Sequence, residues 1–152
     1  MLQRIQTVYL LIAIAAAAAL YFVPLAATAA APEAVLSACT LKVGSTTQSL
    51  VPPVWMLAVF LALGIALRLA AVFRYSDRRG QQRLCRSAIV ADVCWCALLA
   101  ADIHAVRQAL PESEFTPVWT AALMVLPVLF TLLAIRGIRH DERLVRAADR
   151  LR

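Results

Sequence analysis

Four apolar stretches separated by polar gaps dominate the chain, and each is long enough to form a membrane helix. A helix that rises 1.5 Å per residue needs about 20 apolar residues to cross a hydrocarbon core about 30 Å thick. The stretches lie at 8–27, 50–73, 84–106 and 118–138. They lack the period-two alternation of barrel strands, and hydrocarbon offers no hydrogen-bond partner to an open backbone. The pattern therefore predicts an all-α membrane protein with four transmembrane helices.

Basic residues are distributed unevenly among the gaps. Of the fifteen Lys and Arg residues, twelve lie before the first stretch, in the middle gap with its flanks, and at or beyond the end of the fourth stretch, while Arg68 lies inside the second. Cytoplasmic segments retain an excess of Lys and Arg. We therefore predict that both termini and an inner loop at 74–83 face the cytoplasm. Outer loops at 28–49 and 107–117 would face the other side, the first with a weak strand-turn cue at 41–44.

The first stretch has a second interpretation. A basic start, a long apolar run and Ala29-Ala30-Ala31 resemble a secretory signal with a cleavage site. The apolar run is longer than the usual signal core of about 7–15 residues, and Pro32 would directly follow the cut. These two features favour an uncleaved helix over a cleaved signal.

Two charged residues within the stretches suggest how the interior is held together. Arg68 lies about 9 Å along its helix from Arg74, and Asp92 lies about 12 Å from Leu84. The second and third helices run in opposite directions, so the two charges reach similar depths. A charge at bilayer depth costs a few kcal/mol or more and normally has a partner. We predict a structural Arg68–Asp92 ion pair, and snorkelling of Arg68 to the inner interface is the competing alternative.

Small residues supply candidate packing seams. In the second stretch, alanines recur every four residues on the side opposite Arg68 and form a ladder that comprises Ala58, Ala62, Ala66 and Ala70. The first stretch carries Ala13 and the alanine run 15–19. Lipid tails are as apolar as leucine, so membrane helices associate through close packing of small residues and through polar contacts. Both sets are expected to face neighbouring helices.

The intramembrane charges also allow a transport hypothesis. A small transporter or channel subunit would use Asp92, Asp102 and Arg68 as relay groups. However, Asp92 and Asp102 are ten residues apart, which places them about 80° apart around the helix and not in one file. Pro127 within the fourth stretch would favour a kink, which some transporters use. Transport is therefore the alternative and not the main prediction.

No catalytic, cofactor-binding or metal-binding pattern is present. The chain has only four glycines and no glycine-rich phosphate loop. Cys94 and Cys96 point to nearly opposite faces of a helix, so they cannot share one metal ion. His104 and His140 fall on opposite sides of the predicted bilayer. With 62% hydrophobic residues and short loops, the chain leaves little room for an active site, and we predict that it is not an enzyme.

The tail at 139–152 is predicted to continue the fourth helix beyond the bundle at 1–138. Arginines advance by 3, 4, 3 and 4 residues and fall within about 80° on a helical wheel; they are Arg136, Arg139, Arg143, Arg146 and Arg150. A basic amphipathic helix of this kind attracts anionic lipid heads by about 1 kcal/mol per residue. Lipid attraction alone accounts for such a helix and is the favoured interpretation, and a docking face for an acidic or phosphate-bearing partner is the alternative. No nucleic-acid recognition motif accompanies the charge, so specific nucleic-acid binding is not expected.

Three segments carry a resemblance to a known family. They are MLQRIQTVYLL at 1–11, QRLCR at 82–86 and DERLVRAADRLR at 141–152. Together they resemble an uncharacterised family, a domain of unknown function, of small four-helix bacterial inner-membrane proteins. The resemblance implies four spans, an uncleaved first helix and a multi-pass location in the bacterial inner membrane. It implies no activity.

The main prediction is a non-enzymatic structural or accessory subunit of a membrane assembly, with a basic cytoplasmic tail for docking or lipid binding. Its expected partners are the lipid bilayer, with anionic lipids at the cytoplasmic face, and a membrane protein or further copies of the chain. A membrane anchor that recruits an acidic cytoplasmic protein through the tail is a further alternative.

Overall fold

The fold is known from a computed structural model that describes residues 2–28, 34–38, 41–43, 46–47, 55–74, 77–109, 115–117 and 119–150. Four long helices make up most of this part of the chain: α1 (Leu2–Ala19), α2 (Trp55–Phe73), α3 (Arg78–Ala109) and α4 (Val125–Arg150). A short 3₁₀ helix, Trp119–Met124, leads directly into α4. The predicted all-α architecture of four helices is confirmed, and a small sheet is added to it.

Three helical segments in the described ranges are long and apolar enough to cross a membrane: Trp55–Phe73, Arg78–Gln108 and Ala122–Asp141. They correspond to the second, third and fourth predicted spans. The apolar part of α1, Ile5–Ala19, is shorter. Length and composition therefore support a membrane protein with three evident spans.

The first helix ends earlier than the predicted span at 8–27. The backbone N–H groups of residues 20–22 donate to carbonyls three residues earlier, at 3.0–3.2 Å. Such bonds form a tighter turn that ends a helix, and Pro24, which has no N–H, follows. The predicted helical end at 27 is wrong because the chain leaves this turn as a strand. The cleavage-site residues at 29–31 and Pro32 lie outside the described residues.

Five short strands of the described chain form an antiparallel sheet of order β4-β3-β2-β1-β5, drawn from the end of the first predicted span and from the two predicted outer loops. They are β1 (Ala26–Thr28), β2 (Ala34–Leu36), β3 (Leu41–Val43), β4 (Thr46–Thr47) and β5 (Phe115–Pro117). The strand-turn cue at 41–44 coincides with β3. Pairing of β1 with β5 joins the end of α1 to the segment that leads into α4.

The helices pack in two close pairs, α2 with α3 and α1 with α4, and contact between α3 and α4 is much less extensive. The inward face of each helix repeats every three or four residues, which is the spacing of one face of an α-helix. In α2 the buried positions are Leu57, Leu61, Gly64, Arg68 and Ala71.

The interior contains polar side chains beside apolar ones, and many large apolar side chains face outward. Gln6, Arg68, Asp92 and Thr131 are all buried, while Val93 is 62% exposed. In water this distribution would be unfavourable, but lipid tails solvate leucine and valine as well as a protein core does. The burial pattern is therefore that of a bundle surrounded by hydrocarbon.

The alanine ladder of α2 does not form the predicted seam. Ala62, Ala66 and Ala70 are exposed and Ala58 is half-buried. Because the charged Arg68 must point inward, the opposite side of α2 becomes its outer face. In α1, by contrast, Ala13 and the alanine at 17 are fully buried, so a seam of small residues exists on that helix.

Candidate functional site

Arg68 and Asp92, which the sequence analysis paired, are brought together in the centre of the bundle. Arg68 is 0% and Asp92 2% exposed. The Nη1 group of Arg68 donates to Oδ1 of Asp92 at 3.2 Å, and Nη2 donates to Oδ2. These two bonds form a bidentate ion pair, the geometry in which guanidinium and carboxylate interact most strongly. The pair joins α2 to α3.

Thr131 of α4 completes the cluster. The Nε group of Arg68 donates to Oγ1 of Thr131 at 2.9 Å, and the Thr131 hydroxyl donates to the carbonyl of Pro127 at 2.6 Å. Thr131 is fully buried. One arginine thus links three helices, and its Nε, Nη1 and Nη2 groups each have a partner.

Gly64 leaves the space that the ion pair occupies. It lies one helical turn before Arg68 on the buried face of α2. A Cβ atom at this position would lie 3.1 Å from Nη1 of Arg68 and 3.2 Å from Oδ1 of Asp92. Both distances are shorter than ordinary van der Waals contacts. A side chain at position 64 would therefore require the ion pair to shift by a few tenths of an ångström.

Pro127 lies in the first turn of α4, which begins at Val125. A proline in the first turn removes no intrahelical hydrogen bond, because the N–H groups there have no partner in the helix. The predicted span at 118–138 places Pro127 inside a continuous helix, where a kink is expected. In the structure the α-helix begins only two residues before Pro127, so this reason for a kink does not apply.

A second buried polar contact joins α1 to α4. The Nε2 group of Gln6 donates to Oδ2 of Asp141, and both residues are less than a tenth exposed. Gly137 makes this approach possible, since a Cβ there would lie 3.0 Å from Cγ of Gln6. Arg78 of α3 donates from Nη1 to the backbone carbonyl of Asp141 at 3.4 Å. This contact holds the helix ends near the predicted inner side.

Asp102, the second acid of the transport hypothesis, is buried but separate from the cluster. It lies ten residues beyond Asp92 on α3, about 15 Å along the axis. The exposed His104 and Gln108 face each other, with their Nε2 atoms 3.0 Å apart. Within the described ranges, no group of three or more His, Cys, Asp or Glu residues could hold a metal ion.

The predicted tail arginines fall into two groups. Arg136 and Arg139 line a groove between α3 and α4 together with Arg86, and Arg143 is exposed. The backbone of α4 continues as a helix to Arg150. The side chains of Arg146 and Arg150 lie outside the described residues.

Thr131, Gly64, Gln6 and Asp141 were missed by the sequence analysis. Thr131 is the single hydroxyl in the otherwise apolar run 121–135, and Gly64 precedes the buried charge by one turn. Both features could have indicated a polar cluster. Gln6 and Asp141 lie near the ends of the apolar segments Ile5–Ala19 and Ala122–Asp141, where polar residues are ordinary, so their contact had no sequence signal.

Comparison with known families gives one match. The profile of the family described as Domain of unknown function (DUF4293) matches residues 2–151. No curated protein matches the chain. The resemblance to an uncharacterised family is thereby confirmed.

Proposed function

The chain belongs to the DUF4293 family, whose description assigns no function, and we propose that it is a non-enzymatic structural or accessory subunit of a membrane assembly in the bacterial inner membrane. In this proposal all four helices cross the bilayer. Both termini and the inner loop lie in the cytoplasm, and the basic end of α4 contacts anionic lipid or an acidic partner.

A structural role is supported by the way in which the buried charged groups bond to each other and to Thr131. Both carboxylate oxygens of Asp92 accept bonds from Arg68, and the Nε–H group of Arg68 donates to Thr131 of α4. A proton or ion relay needs an acid that exchanges with water or with the next group in a path. An acid held in a bidentate pair, with Asp102 about 15 Å away, instead joins helices. The outer surfaces of the bundle are then left to interact with lipid or with a partner protein.

The proposed orientation can be tested by cysteine labelling. Lys42 and Arg79 are both exposed, and the proposal places them on opposite sides of the membrane. In a variant whose native cysteines are replaced, K42C should react with a membrane-impermeant maleimide in spheroplasts. R79C should react only after permeabilisation. The opposite pattern would reverse the topology and contradict the proposal.

The subunit role can be tested by gentle solubilisation followed by native mass spectrometry. We expect the wild-type protein to co-purify with another membrane protein at fixed stoichiometry. A variant with three tail arginines replaced, R143Q/R146Q/R150Q, should lose that partner if the tail docks it. The control R74Q/R83Q removes exposed charge from the same predicted side but outside the tail, and it should keep the partner. A wild-type protein recovered without any partner would contradict the proposal.

The same preparation tests the transport alternative. Vesicles that contain the purified protein should show no proton-dependent flux if the buried charges are structural. A flux that is abolished by both D92N and D102N would favour a transporter or channel subunit and reject the accessory role.

A further inference from the structure

An open groove runs between α3 and α4, two helices that contact each other less than the close pairs do. Its volume is about 690 Å³, within the range of about 300–1,000 Å³ that is usual for sites that bind small molecules. The α4 wall extends from Leu126 to Arg139, about 20 Å along the helix. One leaflet of the hydrocarbon core is about 15 Å thick. The groove is therefore long enough to hold an acyl chain together with the start of a headgroup.

The groove has two chemically different parts. Its wall is formed by apolar residues such as Ile89, Leu129 and Leu133, and Leu129 is about half exposed. Arg86, Arg136 and Arg139 also line it, and all three are exposed. None of the described residues that line the groove is acidic. Three arginines thus adjoin an apolar channel.

The arginines lie in the inner half of the groove. Arg78 contacts the backbone of Asp141, so α3 and α4 are level there. Arg86 lies about 12 Å further along α3, a position that corresponds to about residue 133 of the antiparallel α4. Arg136 and Arg139 lie between that level and the inner end. Long arginine side chains extend readily towards a membrane interface while their stems stay in apolar surroundings.

We propose that this groove binds one anionic phospholipid of the cytoplasmic leaflet, with its phosphate held by the three arginines and an acyl chain against the apolar wall. Basic pockets between membrane helices on the cytoplasmic side suit lipid phosphates. A free phosphate would use the arginines but not the wall, and an uncharged lipid would use the wall but leave three arginines without a counterion. The lipid uses both. The site rests on the proposed function only for its orientation towards the cytoplasm.

Lipid titration with native mass spectrometry in a neutral detergent tests the site. The probes are phosphatidylglycerol and phosphatidylethanolamine with identical acyl chains. The charge variant is R86Q/R136Q, and its matched control is R74Q/R83Q, which removes the same charge from the same predicted side of the membrane but not from the groove. A third variant, L129W, narrows the groove without changing the charge. Helix content and elution volume show whether each variant is folded.

We expect the wild type to bind one phosphatidylglycerol at least about tenfold more tightly than phosphatidylethanolamine. The R86Q/R136Q variant should bind it roughly thirtyfold more weakly, since each arginine near an anionic headgroup contributes about a factor of five. The control should match the wild type. L129W should lose the bound lipid although its charge is intact, so the proposal stays testable even if the double variant fails to fold.

Several results would overturn the site. Equal binding of the two lipids, or equal losses in the charge variant and its control, would reduce the effect to general surface charge. Retention of the lipid by L129W would exclude the groove as its location. A lipid-free dimer that L129W abolishes would assign the groove to a second copy of the chain. Loss of a partner protein with the lipid preference intact would contradict only the accessory role, so the two proposals fail separately.

Discussion

The bidentate Arg68–Asp92 pair should dominate the stability of the bundle in a way that a double-mutant cycle can measure. The changes are R68M, D92L and the two together. Each single change leaves one charge in the centre of the bundle without its counterion. The double change replaces the pair by two apolar side chains of similar length.

The expected magnitudes follow from the geometry. Arg68 is fully buried, and Asp92 accepts two bonds from it, so removal of either partner should cost about 3–5 kcal/mol in the free energy of unfolding. The double variant should lose less than either single variant, because replacing a buried pair by apolar residues is often close to neutral. The coupling energy should therefore be at least about 3 kcal/mol, more than a hundredfold in the unfolding equilibrium.

Reversible unfolding in mixed micelles with increasing dodecyl sulfate provides the assay. Trp95 is fully buried, so its fluorescence and near-ultraviolet dichroism should report loss of packing. The chain also offers a matched control in Arg74 and Asp77, which form an exposed ion pair at 3.6 Å. A cycle with R74M and D77L should give a coupling energy of less than about 1 kcal/mol.

Additive effects of R68M and D92L on the free energy of unfolding would refute a stabilising ion pair. If the two single losses sum to the double loss within about 0.5 kcal/mol, the charges do not stabilise each other. A coupling energy no larger than that of the exposed control pair would lead to the same conclusion. Arg68 would then be solvated independently, as the snorkelling alternative requires.

Three further predictions use the same assay. G64A should destabilise the bundle by about 1 kcal/mol, because the cost of crowding, about 1–3 kcal/mol, exceeds the gain of about 1 kcal/mol in helix propensity. A more stable variant would contradict the close approach of Arg68 and Asp92 to position 64. T131V should cost about 0.6–1.7 kcal/mol, and a loss as large as that of R68M would show that Thr131 does more than accept one bond. D141L should cost about 1–3 kcal/mol, since Gln6 loses a buried acceptor. D141N keeps an acceptor oxygen and should stay close to wild type in stability. Equal losses in the two variants would exclude the Gln6 contact as the cause.

The helices could be predicted from the sequence because their lengths depend on local composition. An apolar run of about 20 residues is helical in hydrocarbon whatever lies beside it. The second, third and fourth helices accordingly fall close to their predicted places. Arg68 and Asp92 could also be paired in advance, since two opposite charges at one depth have few other ways to be neutralised. These predictions need no knowledge of neighbouring helices.

The inward face of each helix could not be predicted from apolar residues. Lipid and protein are equally good surroundings for leucine and alanine, so the ladder at Ala62, Ala66 and Ala70 carried no information about which side was covered. The polar residues carried it instead. Arg68 turns α2 so that these alanines face outward, and a single threonine on α4 lies where the arginine can reach it.

Contacts between distant segments were decided only by the tertiary structure. The pairing of β1 with β5 and the bond between Gln6 and Asp141 join residues about 90 to 135 positions apart. No local pattern specifies a partner at that separation. The sequence alone thus determined the apolar helices and the two opposite charges at one depth, because both follow from the hydrocarbon that surrounds the chain. The assembled bundle decided which small and polar groups meet, because in a membrane close packing and hydrogen bonds, and not hydrophobicity, distinguish a helix interface from a lipid-facing surface.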